Sequence, residues 1–243
     1  MDKTRNILVT GGSRGVGLGI AKKLVADGYR VIALARKPSD ALEAAIKNAS
    51  GGLHFKAFDL SELDAIAAMV RDLKKEFGPL YGLVNNAALG TEGLLSNMHN
   101  SQIAELVNVN TISPIVLSKY AVRAMMTAGT GRIVNITSII GSTGYSGLSV
   151  YGATKASMIG FTKSLAREVG RLGVTVNAVA PGFMDTEMTQ SLGDEHRAQI
   201  ARRSALQRLV DVEDVANAVA FLMGDGARNI TGTVVTVDAG NTA

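Results

Sequence analysis

The chain has 243 residues, of which 47% are hydrophobic and 19% are charged. This composition is typical of a globular protein, and the length fits a single α/β domain over residues 1–243. No apolar run approaches the roughly 20 residues that cross a membrane, and the N-terminus leads into an apolar strand without room for a signal peptide. The absence of cysteine excludes disulfides and thiolate chemistry. We therefore expect a cytoplasmic protein.

The net charge of the chain and the spacing of its histidines limit the kinds of partner that it is expected to bind. The net charge is +4, and no run of Lys and Arg is longer than two residues. Nucleic-acid binding favours a basic stripe with aromatic residues, but the chain has no tryptophan and only 5% aromatic residues. His54, His99 and His196 lie far apart, without the spacing of a metal site. We expect neither nucleic acid, membrane nor metal as a partner.

Short apolar runs alternate with helix-period segments along the whole chain. The predicted strands are Ile7–Thr10, Val31–Ala35, Leu53–Ala57, Leu83–Asn86, Ile133–Thr137, Val174–Val179 and Val234–Val237. The helix-period segments lie near 15–27, 39–49, 61–77, 101–128, 151–170 and 211–223. Continuous apolar runs are typical of parallel strands that are buried on both faces. The alternation predicts a doubly wound Rossmann fold, an α/β architecture with a seven-stranded parallel sheet and helices on both faces. The more polar region 184–205 is predicted to leave the sheet as a lid.

A glycine-rich loop, Thr10–Gly17, follows the first predicted strand and leads directly into a helix. Glycines at such a junction allow a tight turn and let a pyrophosphate approach the backbone N–H groups of the helix start. The loop alone is weak evidence, but the strand–loop–helix context favours a dinucleotide site. The cofactor contacts predicted in this loop are Gly11, Ser13, Arg14, Gly15, Val16 and Gly17.

The end of the second strand indicates which dinucleotide is preferred. An acidic residue there would bind the ribose 2′-hydroxyl of NAD, but the strand ends in Ala35-Arg36-Lys37. Arg36 and Lys37, with Arg14 from the loop, suit a 2′-phosphate, which arginine binds in a bidentate manner. The alternative is that Arg36 and Lys37 form a solvated turn. The pattern favours NADP(H) over NAD(H).

Tyr151 and Lys155 lie four residues apart on a predicted helix, thirteen residues after Ser138. Side chains at this spacing share one helix face. A phenol has a pKa of about 10, and a neighbouring cation favours the phenolate and brings its proton transfers toward neutral pH. We therefore expect a lowered pKa for Tyr151 and an acid or base role on a hydroxyl or carbonyl group.

Taken together, these residues resemble the short-chain dehydrogenase/reductase family over essentially the whole chain. The positions that match, in the family's order and spacing, are Thr10–Gly17, Asp59-Leu60, Asn85-Asn86-Ala87, Asn110, Ser138, Tyr151, Lys155 and the segment from Pro181-Gly182 to Thr186. Within the family, the stretches 164–183, 215–222 and 230–232 are most similar to bacterial 3-oxoacyl-acyl-carrier-protein reductases.

The resemblance implies a catalytic set of Asn110, Ser138, Tyr151 and Lys155. Tyr151 would protonate a carbonyl oxygen as hydride arrives from the nicotinamide, and Ser138 would hydrogen-bond that oxygen. Lys155 would hold the nicotinamide ribose and lower the pKa of Tyr151, while Asn110 would support a water-linked proton path to Lys155. Besides Tyr151 and Lys155, the implied cofactor contacts are Asp59, Leu60, Asn86, Ala87, Pro181, Gly182, Met184 and Thr186.

Several of these residues also have a structural interpretation. Ser138 and Thr186 could be caps, Asn110 could be a hydrogen-bonding helical residue, and Asp59 could begin a turn. Tyr145 could shape the substrate pocket or lie on the surface.

The resemblance implies an NADPH-dependent reductase of 3-oxoacyl thioesters, with acyl carrier protein as a candidate partner and a homotetramer as the assembly. The helix-period segment 151–170 is apolar on nearly all faces, which also predicts a partner subunit. Two features depart from the pattern: Ala88 replaces a usual glycine, and segment 126–130 lacks the basic residues expected near the mouth, which leaves Arg132 and Arg171 as candidates. The alternatives are the same chemistry on a sugar, polyol or ketone, or a catalytically silent nucleotide-binding scaffold.

Overall fold

The computed structural model of the protein describes residues 4–184 and 193–243. Its strands are β1 (Asn6–Thr10), β2 (Arg30–Ala35), β3 (Leu53–Ala57), β4 (Leu80–Asn85), β5 (Gly131–Ile136), β6 (Val174–Pro181) and β7 (Val234–Val237). They form one sheet in the order β3-β2-β1-β4-β5-β6-β7, and all neighbouring strands pair in parallel. The predicted seven-stranded parallel sheet is confirmed.

Helices cover both faces of this sheet. They are α1 (Gly15–Ala26), α2 (Asp40–Asn48), α3 (Ile66–Phe77), α4 (Asn100–Val107), α5 (Ser113–Met126), α6 (Ile140–Thr143), α7 (Ser149–Val169), α8 (Asp194–Arg203) and α9 (Val212–Met223). One apolar core lies between the sheet and α1, α2 and α9. A second core lies between the opposite face and α3, α5 and α7. Because each strand is covered on both sides, its apolar run is continuous rather than alternating.

The predicted helix over 101–128 is interrupted in the structure. Helices α4 and α5 are joined by a π-helical turn at Asn108–Ile112. Pro114 follows this turn and has no N–H to donate to the carbonyl of Asn110, four residues earlier, so the regular α-helical ladder cannot run through this point. Such turns often occur at functional sites, and Asn110 lies within this one.

The region 184–205 contains helix α8 in its described part, which hydropathy alone did not predict. The chain then returns to the sheet: the N–H of Leu206 donates to the carbonyl of Ala239 (3.0 Å), beyond the end of β7. A lid function for this region remains a prediction. No helix in the described ranges is long and apolar enough to cross a membrane.

The strand order reverses between β1 and β4, because β2 and β3 lie on one side of β1 and β5–β7 lie beyond β4. In open parallel sheets, ligands bind beside the carboxyl ends of the strands at such a switch point. The glycine loop, Arg36, Asn86, Ser138 and Pro181 all lie at or just after these ends. The topology therefore brings the predicted site residues to one edge of the sheet.

Candidate active site

Thr10 joins the ends of β1 and β4 at the switch point. Its hydroxyl oxygen accepts hydrogen bonds from the backbone N–H groups of Asn86 (2.9 Å) and Ala87 (3.0 Å) and donates to the carbonyl of Val84 (3.3 Å). The Asn86 side chain in turn donates to the carbonyls of Thr10 (2.9 Å) and Gly11 (3.4 Å). The glycine loop is therefore held against the β4 loop by partly buried hydrogen bonds, which place Asn86 and Ala87 beside it. Contacts of these two residues with a cofactor remain a prediction.

The glycine loop has the shape that a bound pyrophosphate needs. A Cβ atom at Gly17 would lie 2.2 Å from the carbonyl oxygen of Gly11, so only glycine permits this close packing. Gly15 has φ +51°, and a Cβ there would meet nothing within 4 Å, so its backbone faces open space. The start of α1 has no side-chain hydrogen bond to cap it. Exposed N–H groups at a helix start favour an anion, and these residues fit a dinucleotide.

The cations predicted to bind a 2′-phosphate are exposed on neighbouring loops: Arg14 precedes α1, and Arg36 and Lys37 follow β2. Ser39 ties the two loops together, because its hydroxyl donates to the carbonyl of Ser13 (2.5 Å) while accepting from the N–H of Leu42 (3.1 Å). This connection limits how far the loop that carries Arg36 and Lys37 can move from the glycine loop.

Asp59 forms a turn with Ser61, which is its structural alternative to a cofactor contact. One of its carboxylate oxygens accepts hydrogen bonds from the N–H (2.9 Å) and the hydroxyl (2.8 Å) of Ser61. These bonds, with a smaller contribution from Arg36, hold the pKa of Asp59 below its usual value. Leu60 is partly buried against the core beside α3 and α5. Contacts of either residue with an adenine remain a prediction.

Ser138 lies beside Tyr151, and its hydroxyl favours the ionised form of the phenol. Ser138 follows β5, is 9% exposed and accepts a hydrogen bond from the N–H of Ile140 (3.2 Å). Burial raises the pKa of Tyr151 above its ordinary value, and the neighbouring Ser138 offsets only part of that effect. The expectation of a lowered pKa for Tyr151 is therefore wrong, because removal from water outweighs the favourable contact. The phenol is held in its neutral form, which can donate a proton.

Lys155 lies beneath the tyrosine ring and is 4% exposed. Its Nζ is 5.5 Å from the centre of the Tyr151 ring and donates to the carbonyl of Ile136 (2.9 Å). Burial lowers the pKa of Lys155 to about 8. The predicted placement of Tyr151 and Lys155 on one helix face agrees with the structure, but the ammonium group is held by the β5 backbone.

Asn110 is 3% exposed and lies in the π turn between α4 and α5. Its Oδ1 accepts from the N–H of Leu89 (2.8 Å), and its Nδ2 donates to the carbonyl of Leu89 (2.9 Å) and to Oγ1 of Thr154 (3.3 Å). The amide therefore connects the loop after β4 to the turn of α7 that precedes Lys155. A proton path through Asn110 remains a prediction.

Of the cofactor contacts predicted after the end of β6, Gly182 and Met184 lie within the described residues. A Cβ at Gly182 would lie 2.8 Å from Asp238, so glycine permits close approach of the chain that follows β7. The N–H of Ile139 donates to the carbonyl of Pro181 (3.1 Å), which ties the Ser138 loop to β6. Met184 pairs with Val210 in a parallel bridge. Thr186 lies outside the described residues.

Two loops that flank the site contact each other. The N–H of Gly93 donates to the carbonyl of Gly147 (2.9 Å), which connects segment 88–98 to the loop before α7. In that loop, the ring of Tyr145 packs on Phe183 with centroids 5.5 Å apart, and Tyr145 is 41% exposed. The adjoining Leu94 and Leu95 are more than half exposed. These apolar side chains lie on segments predicted to form the substrate pocket.

Arg132, a candidate for a basic residue near the mouth of the site, does not lie there. It lies at the amino end of β5, the edge opposite Ser138, and is 5% exposed. Its guanidinium lies 5.7 Å from the centre of the Tyr81 ring. Arg171 is exposed, but it lies beyond the far end of α7. Twenty helical residues separate it from Tyr151, a span of about 30 Å.

The histidines take structural positions where their side chains are described. The ring of His54 packs on Phe77 with centroids 4.8 Å apart, and the N–H of His99 donates to the side chain of Gln102 at the start of α4 (2.9 Å). Within residues 4–184 and 193–243, no group of three or more His, Asp or Glu side chains could hold a metal ion.

Two residues that contribute to this arrangement were not selected from the sequence. Ser39 connects the glycine loop to α2, and Thr154 connects Asn110 to α7. A serine three residues before Leu42 is recognisable as a helix cap. The position of Thr154 next to Lys155 was the only local signal for its role, since its partner is 44 residues away.

A doubly wound parallel sheet, a glycine loop at its switch point and a buried Ser–Tyr–Lys group together define a nucleotide-dependent oxidoreductase. The family model described as enoyl-(acyl carrier protein) reductase matches residues 11–242. The chain belongs to the short-chain dehydrogenase/reductase family, whose members bind a nicotinamide cofactor.

Curated relatives and solved structures match nearly the whole chain. The 3-oxoacyl-(acyl-carrier-protein) reductases of Haemophilus influenzae and Escherichia coli are 41% and 42% identical to it, over 96% of this chain and 96% and 95% of theirs. A putative gluconate dehydrogenase from Agrobacterium tumefaciens superposes with a TM-score of 0.94 at 26% identity, covering 99% of this chain and 97% of that one. A gluconate 5-dehydrogenase from Burkholderia cenocepacia, in complex with NADP and tartrate, gives 0.93 at 25% identity, over 98% and 95%.

Proposed function

We propose that this protein reduces a 3-oxoacyl thioester to the 3-hydroxyacyl product with NADPH. The observation that carries the reaction type is the grouping of three side chains: Nζ of Lys155 lies 5.5 Å from the centre of the Tyr151 ring, and Ser138 lies beside the phenol. The substrate class is supported by the 41–42% identity to 3-oxoacyl-(acyl-carrier-protein) reductases, and by the exposed Leu94 and Leu95 beside the site, which suit an acyl chain.

The site residues can be assigned roles in this reduction. When bound, the nicotinamide cofactor supplies a hydride to the carbonyl carbon. Tyr151 donates its phenolic proton to the carbonyl oxygen, and its raised pKa keeps that proton available at neutral pH. Ser138 donates a hydrogen bond to the same oxygen and holds it beside the phenol. Lys155 then assists return of a proton to Tyr151, because its pKa of about 8 allows proton exchange near neutral pH.

NADPH is favoured over NADH by the charges beside the glycine loop. Arg14, Arg36 and Lys37 are exposed on two loops that Ser39 holds together. The carboxylate of Asp59 lies near Arg36 and accepts hydrogen bonds from Ser61. A 2′-phosphate in this position would meet positive charge, to which arginine contributes a planar pair of donors.

A sugar, polyol or ketone substrate is the second candidate, because the two superposed structures are described as gluconate dehydrogenases. NADPH consumption distinguishes the candidates when purified protein is given acetoacetyl-coenzyme A, acetoacetyl-carrier protein, 5-ketogluconate and a cyclic ketone in parallel. We expect turnover of both acetoacetyl thioesters. Turnover of 5-ketogluconate or the cyclic ketone alone would overturn the thioester assignment and retain the reaction class. Turnover of none, with NADPH still bound, would indicate a silent member.

Dependence on the carrier protein itself should be weak. The neutral segment 126–130 and the remote Arg171 supply no basic residue near the mouth of the site. Rim charges mainly set association rates. Arg171 is the exposed basic candidate that remains, and Arg171→Glu should raise KM for the carrier-linked thioester and leave KM for acetoacetyl-coenzyme A unchanged. An equal rise for both substrates would contradict a role in carrier docking.

We also propose that the protein is a homotetramer. The outer face of α7 exposes the small residues Ala153, Ala156 and Gly160, and an open groove of about 420 Å³ lies along its first half. The adjoining Ile112 and Ile115 are 40% and 36% exposed. An apolar helix face of this kind is covered by a second copy in a stable assembly. Light scattering at micromolar protein should give four times the mass of the chain, and a monomeric mass would refute this assembly.

A further inference from the structure

Thr154, the residue before Lys155, is 2% exposed and hydrogen-bonded in two directions. Its hydroxyl donates to the carbonyl of Tyr151 (2.7 Å), one turn earlier on α7. The same oxygen accepts a hydrogen bond from Nδ2 of Asn110 (3.3 Å). A hydroxyl has one donor and two acceptor positions, so both bonds form at once. A threonine bonded to its own helix can be purely structural, but the second bond reaches the π turn between α4 and α5.

The bond from Asn110 completes the hydrogen bonding of its amide. The amide nitrogen carries two hydrogens, of which one goes to the carbonyl of Leu89 and the other to Thr154. The amide oxygen accepts from the N–H of Leu89. Leu89 begins the segment that leads to Gly93 and the exposed Leu94. Thr154 is therefore the point at which this substrate-flanking segment is attached, through Asn110, to the catalytic turn of α7.

We propose that Thr154 is a positioning residue for carbonyl reduction, an inference that rests on the proposed function of the site. It orients the amide of Asn110 and thereby fixes segment 89–98 relative to Tyr151 and Lys155. An apolar side chain of the same shape would leave one buried Nδ2 hydrogen of Asn110 without its partner, and the amide or the π turn would have to move. Displacements of this kind lower the rate of reaction strongly, because reacting groups leave their productive geometry.

Thr162 provides a matched control on the same helix. It is fully buried, donates to the carbonyl of Met158 (2.7 Å) and accepts from Nδ2 of Asn135 (2.8 Å). It therefore makes the same two kinds of bond as Thr154, to its own helix and to an asparagine on another element. Eight helical residues place it about 12 Å from Thr154 along α7. The asparagine that bonds to Thr154, Asn110, is attached to segment 89–98, whereas the asparagine that bonds to Thr162, Asn135, lies on β5.

The experiment compares Thr154→Val, Thr154→Ala, Thr154→Ser and Thr162→Val in steady-state kinetics with acetoacetyl-coenzyme A, together with NADPH binding and thermal unfolding. Loss of one hydrogen bond is expected to lower kcat about tenfold in Thr154→Val and Thr154→Ala, with KM and the Kd for NADPH within about twofold of wild type. Thr154→Ser keeps the hydroxyl and should retain a kcat near that of wild type. Thr162→Val should lose thermal stability and keep its kcat.

A double-mutant cycle with Asn110→Ala tests whether Thr154 acts through that residue. We expect Thr154→Val to lower kcat little further once Asn110→Ala is present, because both remove the same connection. Fully additive losses, an unchanged kcat in Thr154→Val and Thr154→Ala, or an equal loss of kcat in Thr162→Val would each overturn the proposal. Wild-type protein that reduces only a different carbonyl would refute the proposed substrate alone, and the same variants would then be compared on that carbonyl.

Discussion

Because its ammonium group is buried, Lys155 should destabilise the folded protein at neutral pH. In the folded protein the pKa of this lysine is lowered from 10.5 to about 8 by desolvation. The unfolded chain therefore binds this proton more tightly than the folded chain does, and it carries more protons between about pH 8 and pH 10.5. In that window the free energy of unfolding should rise with pH. Below about pH 8 Lys155 is protonated in both states, and its burial lowers the free energy of unfolding by the full amount.

The magnitude follows from the lowering of the pKa. One pKa unit corresponds to about 1.4 kcal/mol, so the shift from 10.5 to about 8 corresponds to roughly 3 kcal/mol. Lys155→Met replaces the ammonium with an apolar group and removes this cost, but it also removes the hydrogen bond to Ile136, worth about 1 kcal/mol. We expect the variant to be more stable than wild type by about 2 kcal/mol near pH 7. That advantage should shrink by about 2 kcal/mol when both are compared near pH 10.

Urea denaturation at one fixed protein concentration, without added cofactor, measures both free energies of unfolding at each pH. The change of their difference with pH is the decisive quantity, because it depends on the difference in pKa of Lys155 between the folded and unfolded states. Lys163, an exposed residue on the same helix, provides the control: Lys163→Met should lack the gain in stability near pH 7 that is expected of Lys155→Met. A difference between wild type and Lys155→Met that does not change with pH would refute this account of the buried lysine.

Three further substitutions test the site. Wild type should prefer NADPH over NADH by more than tenfold, since a charge-assisted contact is worth about 1.5–3 kcal/mol. Arg36→Asp should reduce or invert this preference. Equal kcat/KM for both cofactors in wild type would contradict the cation assignment. Tyr151→Phe should lower kcat by roughly two to four powers of ten with little change in cofactor Kd from fluorescence titration, and robust turnover would exclude Tyr151 as the acid. Gly17→Ala places a Cβ 2.2 Å from the carbonyl of Gly11 and should abolish cofactor binding by calorimetry, whereas Gly170→Ala, with nothing within 4 Å of its Cβ, should bind normally.

Local patterns in the sequence were sufficient for the architecture and for part of the site. Continuous apolar runs predicted all seven parallel strands, because burial on both faces requires apolar side chains throughout each strand. The strand–loop–helix order predicted the glycine loop, and the four-residue spacing placed Tyr151 and Lys155 on one helix face. The break between α4 and α5 was not predicted, although Pro114 lies in the interior of the predicted helix over 101–128, where a proline interrupts the hydrogen-bond ladder. The π turn that joins the two helices is visible only in the structure.

The tertiary structure decided the properties that depend on contacts between distant segments. The sequence spacing predicted a lowered pKa for Tyr151, whereas its burial beside Ser138 raises that pKa. Arg132 and Arg171 remained candidates for a basic mouth until the strand direction placed both at the opposite edge. The connection from Leu89 through Asn110 to α7 joins residues more than 20 positions apart. Residue spacing within one element sets which side chains share a face, but desolvation and long-range hydrogen bonds exist only after the elements have packed.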